Sequence, residues 1–356
     1  MKKKVLIWDV SIANMLSGQS FGGVAVQLYF WAQEFLNHDW KVYTLTTDNP
    51  CEEKKIIFLK CKNSRYFSIV KDFFNALFYL YRIKPDLIIL RGASNRLFVL
   101  SIASRMIGCK IVFMGASDVN FVPGKEMINN NLNRLLYQRG LRSVKYVITQ
   151  NYFQTEAVKK AYGKTPLQLN NIWRIGNSES DSIKKQYQVV WVANLRRLKR
   201  PEWFIEAAKR LPVYNFAMAG DFSYMPDYKN KLLKMIDEIS NIDYLGQITF
   251  DDSSELIANS SILVCTSEFE GFPNTFLQAW SNNRPVISTV NPNDVITKYQ
   301  LGQCVSSVDE LINAIEHFLN DNNVYMEMQN NISRYFNEEH NSSRGFDKLM
   351  EYIKTN

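Results

Sequence analysis

The chain has 356 residues, more than one hydrophobic core usually serves, so its length favours two domains. With 46% hydrophobic and 22% charged residues it reads as an ordinary globular protein, and no stretch offers the roughly 18 uninterrupted apolar residues that cross a bilayer. The net charge of +7 hides a split: residues 1–170 hold 24 Lys and Arg against 11 Asp and Glu, and residues 171–356 hold 18 against 24.

Met1-Lys2-Lys3-Lys4 runs directly into strand-like Val5-Leu6-Ile7-Trp8 with no apolar leader, which predicts a cytoplasmic protein. Further Val- and Ile-rich runs at 42–45, 87–90, 111–114 and 146–149 predict strands, separated by helical-period segments such as 24–36 and 67–82. The heavy aromatic content of 67–82 (Phe73, Phe74, Leu77, Phe78, Leu80) predicts core, with a membrane interface as the lesser use. Residues 171–187 turn polar and read as the connection between domains. The pattern then restarts: strands at 188–192, 215–218, 262–265 and 285–289, and helices near 201–210, 228–239, 252–259 and 274–282. Three helices near 308–319, 324–337 and 343–354 close the chain. Alternating strands and helices predict an α/β fold of two doubly wound, Rossmann-like domains. Their ligand crevices would lie outside the carboxyl ends of the strands, facing each other across a cleft.

The five cysteines (Cys51, Cys61, Cys109, Cys265, Cys304) are scattered and never spaced Cys-x-x-Cys, which supports neither a disulfide framework nor a zinc site. The three histidines (His38, His317, His340) fit no ligand pattern and read as structural. The basic first half would attract nucleic acid, anionic lipid or phosphorylated substrates. With no nucleic-acid motif beside it, membrane or phosphate is the better partner, and a plain solvated surface stays open.

The most informative stretch is Glu270-Gly271-Phe272-Pro273-Asn274-Thr275, followed by Gln278, after the strand at 262–265. Pro273 suits a first helical position and Gly271 permits close backbone approach, so the amides of Asn274 and Thr275 can face an anion such as a diphosphate. Gln278 lies one turn beyond Asn274 on the same face, within reach of a ribose hydroxyl. As a bland alternative, Glu270 caps a helix and Gln278 is ordinary surface.

An acidic residue, Gly, an aromatic and a polar partner eight positions after the acid resembles the Glu-x7-Glu signature of family 4 glycosyltransferases, which have the GT-B fold. The following Asn283-Arg284-Pro285-Val286-Ile287 is similar to the family's helix-turn-strand. The resemblance implies that Glu270 contacts the transferred sugar and that position 278 binds the ribose, where this chain departs by carrying Gln in place of Glu. Glutamine forfeits the charge-assisted bonds of a carboxylate. In the family, the first strand of the second domain ends in Gly-Arg-Leu with a lysine five positions after the arginine, and both cations neutralise the leaving diphosphate. Here Lys199 matches the lysine, Asn194 stands at the arginine position, and Arg196 takes that role; a plain solvated run of Arg196, Arg197, Lys199 and Arg200 is the alternative. Cations at a departing diphosphate can replace a metal, and the chain contains no Asp-x-Asp. Metal independence and no cofactor are expected.

Gly22-Gly23 resembles the family's N-terminal glycine loop near donor phosphate, or is a tight turn. Gly220 and Gly246 match glycines near the base and phosphate, or are routine strand ends. Asp118, after the strand at 111–114, either orients an acceptor hydroxyl or caps a helix.

The resemblance implies a GT-B, sugar-retaining hexosyltransferase. Residues 1–170 would bind a glycan or lipid-linked acceptor, residues 171–335 a UDP- or GDP-type sugar, and 336–356 would return to the first domain. A place in bacterial surface polysaccharide assembly, peripheral on the inner membrane face, follows from the basic half. A GT-B nucleotide-sugar epimerase and a non-catalytic nucleotide-sugar-binding partner of another transferase are the rival readings.

Overall fold

A computed structural model describes residues 2–17, 22–47, 55–61, 69–174, 186–221, 226–270 and 272–356. The chain forms two compact units, one of Met1–Trp173 with Asn341–Asn356 and one of Arg174–His340.

The first unit begins with β1 (Lys4–Ile7), α1 (Ser11–Leu16), α2 (Gly23–Asn37), β2 (Lys41–Thr46), β3 (Ile56–Lys60) and α3 (Ile69–Ile83). It continues through β4 (Leu87–Arg91), α4 (Arg96–Ile107), β5 (Lys110–Met114), α5 (Asn131–Ser143), β6 (Tyr146–Thr149), α6 (Tyr152–Tyr162) and β7 (Leu167–Gln168). Among the described residues the seven strands form one parallel sheet in the order β3-β2-β1-β4-β5-β6-β7. A strand covered on both faces has no wet side, so its sequence is apolar without alternation; β4, Leu-Ile-Ile-Leu-Arg, is buried at every position.

The second unit carries β8 (Val189–Val192), α7 (Pro201–Arg210), β9 (Phe216–Ala219), α8 (Pro226–Asp237), β10 (Ile242–Tyr244), α9 (Phe250–Ala258) and β11 (Ile262–Cys265). It ends with α10 (Asn274–Trp280), β12 (Val286–Ser288), α11 (Val295–Tyr299), β13 (Gly302–Cys304), α12 (Val308–Asn320) and α13 (Asn322–Glu339). Its described strands are parallel, in the order β10-β9-β8-β11-β12-β13. The core packs Trp191, Phe204, Phe216 and Ile315, all at or near zero exposure, between this sheet and its helices.

The last helix, α14 (Ser342–Thr355), belongs to the first unit. Phe346 stacks on His38 at 3.8 Å and meets Phe35 edge-on, Ser342 Oγ donates to Glu34 Oε2 at 2.7 Å, and Lys110 Nζ donates to the Ile353 carbonyl. This returning segment starts at Asn341, later than residue 336.

Strands β3, β7, β10 and β13 were not among the expected elements; three of them have only two to three residues, too short for any periodicity to register. Most of the 171–187 connection, residues 175–185, lies outside the described residues. In α3 the expectation of core holds for one face. Ala76, Leu80 and Ile83 are buried, but Phe74 and Phe78 are 63% and 59% exposed.

In each sheet the first strand lies inside, and successive strands build outward on one side before the order turns to the other. The reversal falls between β1 and β4 in the first unit and between β8 and β11 in the second. At such switch points the loops diverge and leave a crevice at the carboxyl end of the sheet. Each unit is therefore a doubly wound, Rossmann-like domain, as expected.

Candidate functional site

The switch point of the second unit is built from two loops that leave neighbouring strands. The loop after β8 passes exposed Asn194 and Arg196 and enters a 3₁₀ turn, Arg197–Lys199. The loop after β11 carries Thr266, Ser267 and Glu270 into α10.

Side chains and backbone stitch the two loops together. Trp191, 1% exposed, donates its indole N–H to Thr266 Oγ1 at 3.0 Å, and that hydroxyl donates to the Lys199 carbonyl at 2.6 Å. The Glu268 amide donates to the Leu198 carbonyl at 2.8 Å. Arg200 donates from Nε to the Thr266 carbonyl (2.8 Å) and from a terminal nitrogen to the Ser267 carbonyl (3.3 Å), while its guanidinium lies 4.2 Å from the Trp203 ring centre. Arg200 takes φ +45° directly before Pro201, whose ring disfavours the right-handed helical conformation at the preceding residue. A left-handed non-glycine residue costs about 1–3 kcal/mol and persists only where its surroundings fix it. The two carbonyl bonds and the ring contact do so, which makes Arg200 architectural.

The consequence is that Lys199 and Glu270 meet. They form an ion pair, with their side chains 19% and 22% exposed, and Glu270 Oε1 also accepts from Ser267 Oγ at 3.0 Å. A pair this accessible contributes on the order of 1 kcal/mol or less to stability. Arg197 is drawn elsewhere, 5.4 Å from the Tyr228 ring centre. Three of the four cations that read as a single run thus take separate environments, and the structure brings Lys199 to Glu270.

Pro273 departs from expectation. It is the N-cap of α10, with φ −65° and ψ 127°, and Asn274 is the first helical residue. The ring fixes φ at the same value either way, but the extended ψ shows that the helix starts one residue later. The amides of Asn274 and Thr275 sit in the first turn, where no intrahelical carbonyl precedes them. Phe272 packs edge-on to Trp280, with ring centres 6.1 Å apart, and so anchors the loop to the helix it feeds. Gly271 lies outside the described residues.

Gln278 is 4% exposed, not a surface polar residue. Its Nε2 donates to Ser253 Oγ and Ser254 Oγ on α9, both at 3.0 Å, and both hydroxyls donate to the Phe250 carbonyl, at 2.7 and 3.0 Å. Each serine proton is committed to that carbonyl, so the serine oxygens require a donor at position 278. An amide supplies two N–H groups and a carboxylate supplies none. The serine pair is thus a physical reason for Gln in place of Glu here, and it leaves Gln278 Oε1 as the side chain's acceptor.

Gly220 follows β9 directly with φ +151°, and a Cβ there would fall 1.7 Å from the Ala193 carbonyl oxygen. Only glycine lets the ends of β8 and β9 approach so closely. Gly246, at φ +70°, has open space where a Cβ would be, and its carbonyl accepts from the Gly220 amide at 2.8 Å.

The remaining predicted positions belong to the first unit. Gly22 is the N-cap of α2 and Gly23 its first residue. Asp118 Oδ1 accepts from Asn151 Nδ2 and Gln154 Nε2, both at 2.9 Å. That ties the loop after β5 to the start of α6. Among the described residues no group of three or more His, Cys, Asp or Glu is placed to hold a metal ion, and no helix is long and apolar enough to cross a membrane. The sequence reading missed Trp191, Thr266, Ser253 and Ser254, since nothing in their spacing marks them.

Residues 186–321 match the family model of glycosyl transferases group 1. An uncharacterized glycosyltransferase of Methanocaldococcus jannaschii is 26% identical over 276 residues, covering 67% of this chain and 64% of that protein. Among solved structures, a glycosyltransferase from Rickettsia africae superposes with a TM-score of 0.74 at 13% identity, over 99% of this chain and 97% of the other. The pneumococcal O-GlcNAc transferase GtfA, solved with UDP and GlcNAc, superposes at 0.70 and 12% identity, over 99% and 98%. At these identities the structures establish the fold, which is GT-B.

Proposed function

We propose that the chain is a glycosyltransferase that moves a hexosyl group from a nucleotide-diphosphate sugar, of UDP or GDP type, to a glycan or lipid-linked acceptor with retention of anomeric configuration. The observation that carries this reading is the Lys199–Glu270 pair at the switch point of a unit whose residues 186–321 match the glycosyl transferases group 1 family. The donor lies in Arg174–His340 and the acceptor in Met1–Trp173 with the returning helix.

The reaction breaks the bond between the sugar's anomeric carbon and a phosphate oxygen, whose electron pair leaves with the nucleoside diphosphate. The acceptor oxygen bonds to that carbon, and its proton passes to the departing phosphate. Negative charge therefore grows at the diphosphate, and fixed cations lower the barrier most where charge develops. Lys199 exchanges Glu270 for phosphate when donor binds, with Arg196 beside it. The freed carboxylate of Glu270 then turns to the sugar. The amides of Asn274 and Thr275 add hydrogen bonds to phosphate, with Phe272 anchoring that loop, but a seven-residue helix has little macrodipole. Lysine is the main source of charge stabilisation. Gln278 accepts from a ribose hydroxyl through Oε1, and Asn194, Gly220 and Gly246 shape the space around donor. Asp118 orients the acceptor through its second carboxylate oxygen. No divalent ion or cofactor is needed for the charge.

The acceptor sits at an anionic membrane, on the cytoplasmic face, in assembly of a surface polysaccharide such as bacteria make; the basic first half supports this reading. Turnover of nucleotide sugars, with and without chelator, tests the reading. Glu270→Ala and Lys199→Ala should each lower turnover by at least about 100-fold with the melting temperature preserved. Undiminished turnover in Glu270→Ala sinks the assignment. A wild-type chain that binds nucleotide sugars yet neither hydrolyses nor transfers them would be a binding partner of another transferase.

A further inference from the structure

The first unit presents an aromatic stripe that the transfer chemistry does not use. In α3, Phe74, Phe78 and Tyr81 recur at i, i+4 and i+7 and are 63%, 59% and 70% exposed, while Ala76, Leu80 and Ile83 on the opposite face are buried. A helix that is apolar on both faces belongs between two apolar phases, and the core supplies one of them. The neighbouring helix α4 extends the surface with Met106, 64% exposed, and Ile102, 37% exposed.

The rim of this surface is cationic. Exposed Lys71 and Arg82 lie on α3 itself. At the amino-terminal edge of the sheet a depression of 660 Å³ is lined by Tyr81, Met106, Lys3, Lys84 and Lys110. Lys84 Nζ stands 5.6 Å from the Tyr81 ring centre and Lys3 Nζ 5.4 Å from that of Trp40, so the charges sit over aromatic faces. Asp86 shares the depression, but one of its carboxylate oxygens accepts the Lys4 amide at 2.8 Å. Towards the carboxyl edge, Lys71, Lys60 and Arg96 line a second depression with Phe78, where Asp72 is the acidic member.

We infer that α3 is the docking face by which the chain lies on an anionic lipid bilayer. Phe74, Phe78 and Tyr81 would enter the headgroup boundary, and Lys3, Lys84 and Lys110 would gather around an anionic headgroup. Aromatic side chains flanked by Lys and Arg are what the membrane interface selects, because the rings bury apolar area while the cations meet the negative surface potential. Charge complementarity favours lipid over a second copy of this unit, which would bring like charges together. The inference rests on the reading that the basic half faces a membrane, and it names the surface that does so.

The test is sedimentation with vesicles of phosphatidylcholine alone or mixed with phosphatidylglycerol, without donor or acceptor, while transfer is assayed separately with a water-soluble acceptor. The two readings can then fail independently. Binding is expected to anionic vesicles only, weakened by salt because exposed charges are screened. A Phe74→Ser/Phe78→Ser/Tyr81→Ser variant should lose binding by at least about tenfold, as should Lys3→Glu/Lys84→Glu, since each surface cation is worth about 1 kcal/mol. Because the three aromatic sites are exposed, melting temperatures should not fall. A Phe78→Trp variant should gain a blue-shifted emission component with anionic vesicles, and Val213→Trp in the second unit should not. Equal binding to neutral and anionic vesicles, unaltered binding by the aromatic variant, or a concentration-dependent dimer that this variant abolishes would each overturn the inference.

Discussion

The two switch points share a topology and differ in how they manage charge. Between β8 and β11, Lys199 has a carboxylate, Arg200 has two carbonyls and a ring, and Arg197 has a ring, and the Lys199–Glu270 pair stays about one-fifth exposed. Between β1 and β4, Arg91 at the end of β4 is 8% exposed, donates to Asn171 Oδ1 at 2.8 Å, and has an Nε with no hydrogen-bond partner. Burial without an anion pushes its pKa down to about 10. The contrast teaches that a cation held accessibly by an exchangeable partner suits a charged ligand that arrives and leaves, whereas a cation held in the interior is a standing cost.

Three substitutions would break or sharpen that comparison, beyond the loss of turnover expected at Glu270 and Lys199. Gly220→Ala has the largest effect on folding, because its Cβ would strike the Ala193 carbonyl at a φ of +151°. A loss of about 3 kcal/mol or more, read from the denaturant midpoint, is expected, and a neutral result would show that the ends of β8 and β9 can separate. Gln278→Glu comes next. It replaces two donated N–H groups with a buried carboxylate facing serine protons already given to Phe250, which should cost about 1–3 kcal/mol. Higher donor affinity without a loss of stability would contradict the serine explanation.

Arg91→Met should be the mildest. It removes a poorly paired buried charge at similar volume, so stability should change by no more than about 1 kcal/mol and can rise. The sign follows from the depressed pKa: the fold disfavours the protonated arginine, so its cost is present at every pH below about 10 and lifts only as the pH climbs from there towards arginine's ordinary value. A large loss in the variant, measured by urea unfolding at neutral pH, would mean that Arg91 is compensated more fully than its Asn171 bond indicates.

These substitutions also mark how far the sequence could be read. Long apolar strands such as β4 and β11 and amphipathic helices such as α7 and α12 were legible because each repeats one periodicity over several residues. Strands β10 and β13 were not, since three residues carry no period and register with a neighbour defines them. At the site, Lys199 and Glu270 were legible as types at a spacing. That they touch depends on Thr266, Trp191 and Arg200 holding two loops together across 66 to 75 positions of sequence, which no local pattern encodes. The burial of Gln278 was hidden for the same reason, because its partners are serines of ordinary appearance on another helix. On α3 the aromatic content predicts core throughout, and packing leaves Phe74 and Phe78 outside it.

The return of α14 to the first unit bears on the order of events during synthesis. Arg174–His340 is one uninterrupted stretch and can complete itself as soon as it clears the ribosome, whereas the first unit waits for Asn341–Asn356, translated after that stretch, to cover α2. The half that begins first is therefore finished last, and a ribosome stalled near residue 340 would leave Phe35 and His38 without the ring of Phe346 that covers them.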